Sequence, residues 1–164
     1  MRTSDLESVL GWRNHPDVRR YMYTQHEISL DEHRKWFSRA SQSDETHLLI
    51  FEHANIPSAF VNVTQLRKSP VAEWSFHLAP HAARGVGARL GIATLDYSFI
   101  ELQLHKLCGE ALGFNERSIR FHSRLGFRQE GLLKDQYFDG SNYYDVVCFG
   151  ILSSEWSKRR EELA

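Results

Sequence analysis

Hydrophobic positions along the chain change their period twice. Over the first forty residues they recur at helical spacing, and two tetrads, Ser4-Asp5-Leu6-Glu7 and Ser29-Leu30-Asp31-Glu32, have the S-x-x-E spacing of a helix-capping box. The pattern predicts a helix to about Asn14 stopped near Pro16, a short piece through Arg19 to Tyr21, and a helix from Leu30 to about Ala40 with Trp36 and Phe37 on its apolar side. From His47 the runs become short and rich in β-branched and aromatic residues: His47 to His53, Ser58 to Leu66 and Val71 to Ala79. Asn55-Ile56-Pro57 and Lys68-Ser69-Pro70 separate them, which reads as a three-stranded antiparallel meander. Helical spacing returns from about Gly85 to Leu102, where Leu90, Ala93, Tyr97 and Ile100 share a face. A strand from Lys106 to Leu112, a helix from Glu116 to Leu125, two strands joined across Asp139-Gly140 and a helix from Ser154 follow. This order predicts an α+β fold, a mixed central sheet containing the meander and flanked by helices.

No repeat, low-complexity tract or linker divides the 164 residues, so a single domain over 1–164 is expected. With 41% hydrophobic and 12% aromatic residues the chain can form a packed core and is not of disordered type. Twenty Lys and Arg balance 21 Asp and Glu, which gives no overall field for nucleic acid or an anionic membrane. No apolar run approaches the roughly 20 residues that span a bilayer, and Met1 to Asp5 run into helix signals, so a cytoplasmic protein is expected. Cys108 and Cys148, 40 residues apart in apolar runs, read as free thiols of a reducing compartment. The nine histidines show no ligand spacing: Pro80 separates His77 from His81, and His33 lacks the rest of a set, so no metal is expected. No serine or cysteine nucleophile has a supporting motif. The sequence leaves the oligomeric state open, a homo-oligomer included.

Two stretches carry the chemistry. In the first, Glu73 to Ala88, a strand ends at Pro80 and the chain re-enters a helix through Gly85 and Gly87. Such a turn aims free amides and the positive end of a helix dipole at one point, which suits a phosphate, and Arg84 and Arg89 add charge. A glycine pair that merely starts a helix would look the same. The spacing Gly85-x-Gly87-x-x-x-Gly91 misses the dinucleotide fingerprint, and a meander precedes it. The second stretch is Asn115-Glu116-Arg117-Ser118-Ile119-Arg120-Phe121-His122-Ser123-Arg124-Leu125-Gly126-Phe127.

Together, in a β-β-β-α-β-α-β-β order that covers most of the chain, the two stretches resemble the GCN5-related N-acetyltransferase superfamily. Its phosphate loop reads R/Q-x-x-G-x-G/A, and its later helix reads N-x-x-A-x-x-x-Y-x-x-x-G-F. The resemblance implies acetyl-CoA as co-substrate, its pyrophosphate on the amides of Arg84, Gly85, Val86, Gly87 and Ala88. Phe76, His77 and Leu78 would lie where two strands part around the pantetheine arm, Asn115 would hydrogen-bond that arm, and a strand amide near Leu78 would stabilise the oxyanion. Ala82 departs from the usual Arg or Gln, which shifts the loop's charge to Arg84 or Arg89. His122 stands where the usual tyrosine protonates the departing thiolate; an imidazole can donate that proton, or the ring can simply pack. Glu73 occupies a position where several members carry a general base, and its alternative is a solvated strand residue or a salt-bridge partner. Little chain precedes the first helix to form the usual opening strand.

The N-terminal pattern W-R-N-x-P-x-V-R-x-x-M, Trp12 to Met22, followed by I-S-x-x-x-H-x-x-W, Ile28 to Trp36, resembles the UDP-4-amino-4,6-dideoxy-N-acetyl-β-L-altrosamine N-acetyltransferases of pseudaminic acid biosynthesis, a route to flagellin glycosylation. That resemblance implies a nucleotide-sugar acceptor, with Arg13, Arg19 or Arg20 for the diphosphate. Met22, Tyr23, His33 and Trp36 would line the sugar, with Phe37 adding to an apolar wall for its methyl groups. The same residues also suit the core and solvated faces of two short helices. Two other functions fit the pattern: acetylation of a ribosomal-protein N-terminus or a polyamine, and an acyl-CoA-binding module without catalysis.

Overall fold

The computed structural model describes residues 1–163. Its elements run α1 (Leu6–Asn14), α2 (Pro16–Arg19), α3 (Leu30–Ala40), β1 (Thr46–His53), β2 (Ile56–Gln65), β3 (Val71–Leu78), α4 (Val86–Asp96), β4 (Lys106–Leu112), α5 (Glu116–Leu125), β5 (Arg128–Phe138), β6 (Tyr143–Leu152) and α6 (Ser153–Leu163). The strands follow the order β1-β2-β3-β4-β6-β5, with β3 and β4 parallel while β1/β2, β4/β6 and β5/β6 are antiparallel. This is the α+β fold with a mixed sheet that the periodicity predicts. No strand precedes α1 among the described residues; the Met1 amino group instead donates to the Leu48 carbonyl at 2.7 Å.

The boundaries differ from expectation where local chemistry competes. The Ser4 box does not form: Thr3–Asp5 is a 3₁₀ turn, and the Asp5 carboxylate accepts from the Arg2 amide. The Ser29 box forms by half. Ser29 accepts from the Glu32 amide at 3.2 Å, but the Glu32 carboxylate pairs with His26 at 3.0 Å. Pro16 starts α2 as well as stopping α1, because a proline at the first helical position lacks only an amide that would be unpaired anyway. Ala54 and Asn55 both take positive φ, 52° and 62°, making a two-residue hairpin turn. β2 therefore begins before Pro57, which sits beside a bulge at Phe51/Glu52. The long helical signal after Gly85 ends as α-helix at Asp96, and Tyr97–Glu101 widen into a π turn.

The chain divides into two compact units. The first comprises Met1–Thr64 and Ser75–Leu90; the second comprises Gln65–Trp74 and the chain from Gly91 onward, so β3 and α4 each contribute to both. In the first unit Val9, Trp12, Phe60 and Ala79 are buried together, with Met1, Trp36, Leu48, Ile50 and Ala82 packed on them. Burying an aromatic or aliphatic side chain of this size stabilises by about 1.5–3 kcal/mol.

In the second unit the sheet has one buried and one open face. Ala72, Trp74, Leu107 and Ala111 are buried at alternate positions. Glu73 pairs in register with Cys108, and Glu110 with Cys148, on the other face. Glu73 and Glu110 are exposed there, and Lys106 meets Glu130 at 2.6 Å. Cys108 lies opposite Gly150, not Cys148, so the two cysteines are diagonal and both are free. No helix among the described residues is long and apolar enough to cross a membrane.

Candidate active site

The turn from β3 into α4 is tight. The Ala79 amide donates to Ser58 O (2.8 Å), the Ala82 amide to Ala79 O (2.9 Å) and the Val86 amide to Ala83 O (3.2 Å). Gly85 takes φ +89°, a conformation that L side chains rarely adopt, although a Cβ there would meet nothing within 4 Å. Of the four first-turn amides of α4, Val86 and Arg89 turn back to Ala83 O and Gly85 O. Gly87 and Ala88 thus carry their amides at the positive end of the helix dipole. Ala82 packs on the apolar core of its unit, so the loop's charge comes from exposed Arg84 and from Arg89, whose Nη1 lies 3.3 Å from His53 Nδ1.

β3 changes its buried side midway. Ala72 and Trp74 are buried on one face, whereas His77 and Ala79 are buried on the other, which leaves Glu73 and Ser75 exposed and Phe76 and Leu78 half-buried. The parallel ladder to β4 is short, running only from Val71↔Lys106 to Glu73↔Cys108. His77 is not presented to solvent: its ring is bonded to the Val9 carbonyl and lies 5.3 Å from Phe60. Burial, with Arg13 nearby, pushes its pKa down to about 4.

His122 is 1% exposed and sits in an aromatic cage. It stacks on Phe149 at 4.7 Å and meets Trp74, Phe127 and Phe121 edge-on. Trp74 Nε1 can only donate and does so to His122 Nε2 at 3.2 Å, so Nδ1 carries the ring's proton and donates to Ser118 O at 2.8 Å. Both nitrogens of the neutral ring are thus satisfied. Burial lowers its pKa, more than the Ser118 carbonyl raises it. Gly109 makes the arrangement possible, because a Cβ there would lie 2.6 Å from Trp74 Nε1 and 2.7 Å from His122 Nε2. The sequence gives no sign of the Trp74 partner, which lies 48 residues from His122 along the chain.

Asn115 caps α5, its Oδ1 accepting from the Ser118 amide at 3.1 Å, which leaves the Nδ2 protons as its remaining donors. The W-R-N motif braces the loop between α2 and α3. Trp12 is in the core, Arg13 Nη2 donates to Thr24 O at 3.0 Å, and Asn14 exchanges two bonds with the Ile28 backbone at 2.8 and 2.9 Å. Arg19 pairs with Glu27 (3.7 Å) and Arg20 with Asp17 (3.5 Å). Met22 is half-buried and Tyr23 exposed in that loop, whereas His33 is buried and stacked on Trp36 at 5.1 Å. Arg13, Met22, Tyr23, His33, Trp36, Phe76, His77, Leu78 and the Arg84 to Ala88 loop belong to the first unit; Glu73, Asn115 and His122 belong to the second. No group of three potential metal ligands occurs among the described residues.

The buried histidines make stability depend on pH. For His33, His77 and His122 the folded pKa lies below the ordinary value of 6.5, burial being the main cause. Their contribution is complete above pH 6.5 and is lost as pH falls toward the folded values, which for His77 is about 4. His77 alone accounts for roughly 3 kcal/mol. Denaturant titrations should therefore show stability falling by at least this amount between pH 7 and 4, with His77→Phe flattening the slope; a flat wild-type profile would contradict the burial.

The α+β fold thus carries a glycine turn that leads from a central strand of its mixed sheet into the amino end of α4. The chain belongs to the GNAT acetyltransferases: residues 1–128 match the family described as Acetyltransferase (GNAT) domain. Spermidine N(1)-acetyltransferase of Vibrio cholerae is 25% identical over 98% of this chain and 95% of its own. Acetyltransferase PseH of Campylobacter jejuni is 26% identical over 84% of this chain and 85% of its own. The crystal structure of the Vibrio cholerae spermidine N-acetyltransferase in complex with CoA and spermine superposes with a TM-score of 0.87 at 25% identity, covering 96% of this chain and 95% of that one.

Proposed function

We propose that this GNAT enzyme transfers the acetyl group of acetyl-CoA directly to the amine of a small molecule. The observation that carries the reading is the Gly85 turn, which leaves the Gly87 and Ala88 amides at the open end of α4 beside Arg84. In this reading they hold the pyrophosphate. Phe76, His77 and Leu78 serve the pantetheine arm through the β3 backbone, since the His77 ring is engaged by Val9, and Asn115 contributes its Nδ2. The amine nitrogen attacks the thioester carbonyl, a strand amide near Leu78 receives the oxyanion, and the C–S bond then breaks. Glu73, exposed on its sheet face, takes the amine proton directly or through water. The thiolate is protonated by solvent, because the His122 proton is committed to Ser118 O.

The acceptor we favour is UDP-4-amino-4,6-dideoxy-N-acetyl-β-L-altrosamine, a cytoplasmic substrate on the route to pseudaminic acid and flagellin glycosylation. The α2–α3 region supports an acceptor that is not a polycation: Asp17 and Glu27 are met by Arg20 and Arg19, and the Arg13 guanidinium on α1 is half-buried. The pairing also means that Arg19 and Arg20 would have to exchange partners to reach a diphosphate. A spermidine acceptor is the second reading, favoured by exposed Glu73 and Glu110 on one sheet face. CoA thiol release with the amino-sugar nucleotide, spermidine and a ribosomal-protein N-terminal peptide tests the choice; release with spermidine alone would select the second reading, and release with none would contradict both.

Gly85→Ala tests the cofactor loop. The strain of a positive φ costs about 1 kcal/mol, and displaced amides should weaken acetyl-CoA binding about tenfold by titration calorimetry. Unchanged affinity would remove the loop from the site.

A further inference from the structure

The end of the β1–β2 hairpin is stitched to the phosphate turn at three points of the first unit. The Ala79 amide donates to Ser58 O at 2.8 Å, His81 Nε2 donates to Pro57 O at 3.2 Å, and Arg89 Nη1 donates to His53 Nδ1 at 3.3 Å. The first two fasten the chain as it leaves β3. The third differs, because it ties a charged side chain to an uncharged acceptor. His53 is the last residue of β1, half-buried and in register with Ile56, beside the tight turn at Ala54 and Asn55. Arg89 is exposed on the first turn of α4, with its amide on Gly85 O. A helical side chain leans toward the amino end of its helix, so that of Arg89 covers the turn that carries the Gly87 and Ala88 amides.

A guanidinium can only donate, so His53 Nδ1 accepts through its lone pair and the neutral ring keeps its proton on Nε2. The bond therefore holds Arg89 without cancelling its charge. Arg19, Arg20, Arg128 and Arg160 each meet a carboxylate, but among the described residues no carboxylate pairs with Arg89 or with Arg84. An arginine fixed by a neutral acceptor beside free amides is prepared for an anion: part of its freedom is lost before binding, and no carboxylate has to be displaced. We infer that His53 is a positioning residue for acetyl-CoA binding, holding Arg89 as an uncancelled charge that meets a phosphate of the cofactor. The pyrophosphate and the 3′-phosphate of the adenosine are the two sources of that group. The inference rests on the cofactor loop proposed above.

Titration calorimetry of the full-length protein with CoA and with 3′-dephospho-CoA tests it. Arg89→Ala should weaken CoA binding about tenfold and His53→Leu about fivefold, and the double variant should bind no more weakly than Arg89→Ala alone. His53→Asn keeps an acceptor close to the place of Nδ1 and should bind within about twofold of the wild type. His53→Asp holds the arginine but cancels its charge, and should bind at least as weakly as His53→Leu. A His53→Leu loss that vanishes with 3′-dephospho-CoA would identify the 3′-phosphate; the same loss with both ligands would identify the pyrophosphate. In turnover the His53→Leu change should appear in KM for acetyl-CoA, with kcat held within about twofold. Wild-type affinity in His53→Leu or in His53→Asp, or an undiminished His53→Leu loss in the Arg89→Ala background, would overturn the role. If Gly85→Ala weakens CoA binding and His53→Leu does not, the loop stands and the positioning role fails; if neither does, both fail.

Discussion

Replacing Glu73 with glutamine should lower kcat by about two orders of magnitude, the usual contribution of a positioned general base, while leaving the fold and acetyl-CoA affinity intact. Glu73 is exposed, opposite Cys108 in register, and no core contact depends on its charge. The acetyl acceptor is an ammonium at neutral pH and must lose a proton before nitrogen can attack, so the variant should recover rate as pH approaches the amine's own pKa. Steady-state rates from pH 6 to 10 make the comparison. A variant with the wild-type rate and profile would show that the amine is deprotonated elsewhere.

The second large effect is on stability. His122→Phe removes the acceptor of the Trp74 indole N–H and the donor to Ser118 O, both inside an aromatic cage. Ser118 O keeps its α5 backbone bond, so the Trp74 N–H is the buried group that loses its acceptor; at about 1–3 kcal/mol the loss should be roughly 2 kcal/mol, or about 6 °C in Tm for a chain of this size. Gly109→Ala should cost about 1–3 kcal/mol for a different reason, since its Cβ would press on both partners of the same bond. Because His122 acts through Trp74 and Ser118, turnover of the folded His122→Phe protein should keep its pH profile. Loss of turnover with full thermal stability would instead restore His122 as the acid.

The order of elements is legible in the sequence because period 3.6 and period 2 alternate cleanly, and the phosphate turn is legible because its glycines and the strand before it are contiguous. Boundaries are less so. Pro16 stops one helix and starts the next, and nothing in the helical spacing beyond Asp96 marks the change to a π turn. The roles of single residues are least legible, since they depend on contacts distant in sequence. His122 reads as an acid or a packed ring until Trp74, 48 residues away, is seen to occupy its second nitrogen. Arg13 and His33 read as substrate contacts, yet each is tied to backbone within the chain while retaining one buried nitrogen without a partner. His77 reads as a cofactor residue from its place in β3, but the parity of burial switches within that strand and turns its ring toward Val9.

The central claim is transfer of an acetyl group from acetyl-CoA to the amine of a small, hydroxylated acceptor. The most direct measurement is the product spectrum from one reaction holding acetyl-CoA, UDP-4-amino-4,6-dideoxy-N-acetyl-β-L-altrosamine and spermidine at equal concentration, resolved by mass spectrometry. The account predicts that the mono-acetylated sugar nucleotide accumulates in step with free CoA. Acetylspermidine as the main product, or CoA release without an acetylated amine, would contradict it.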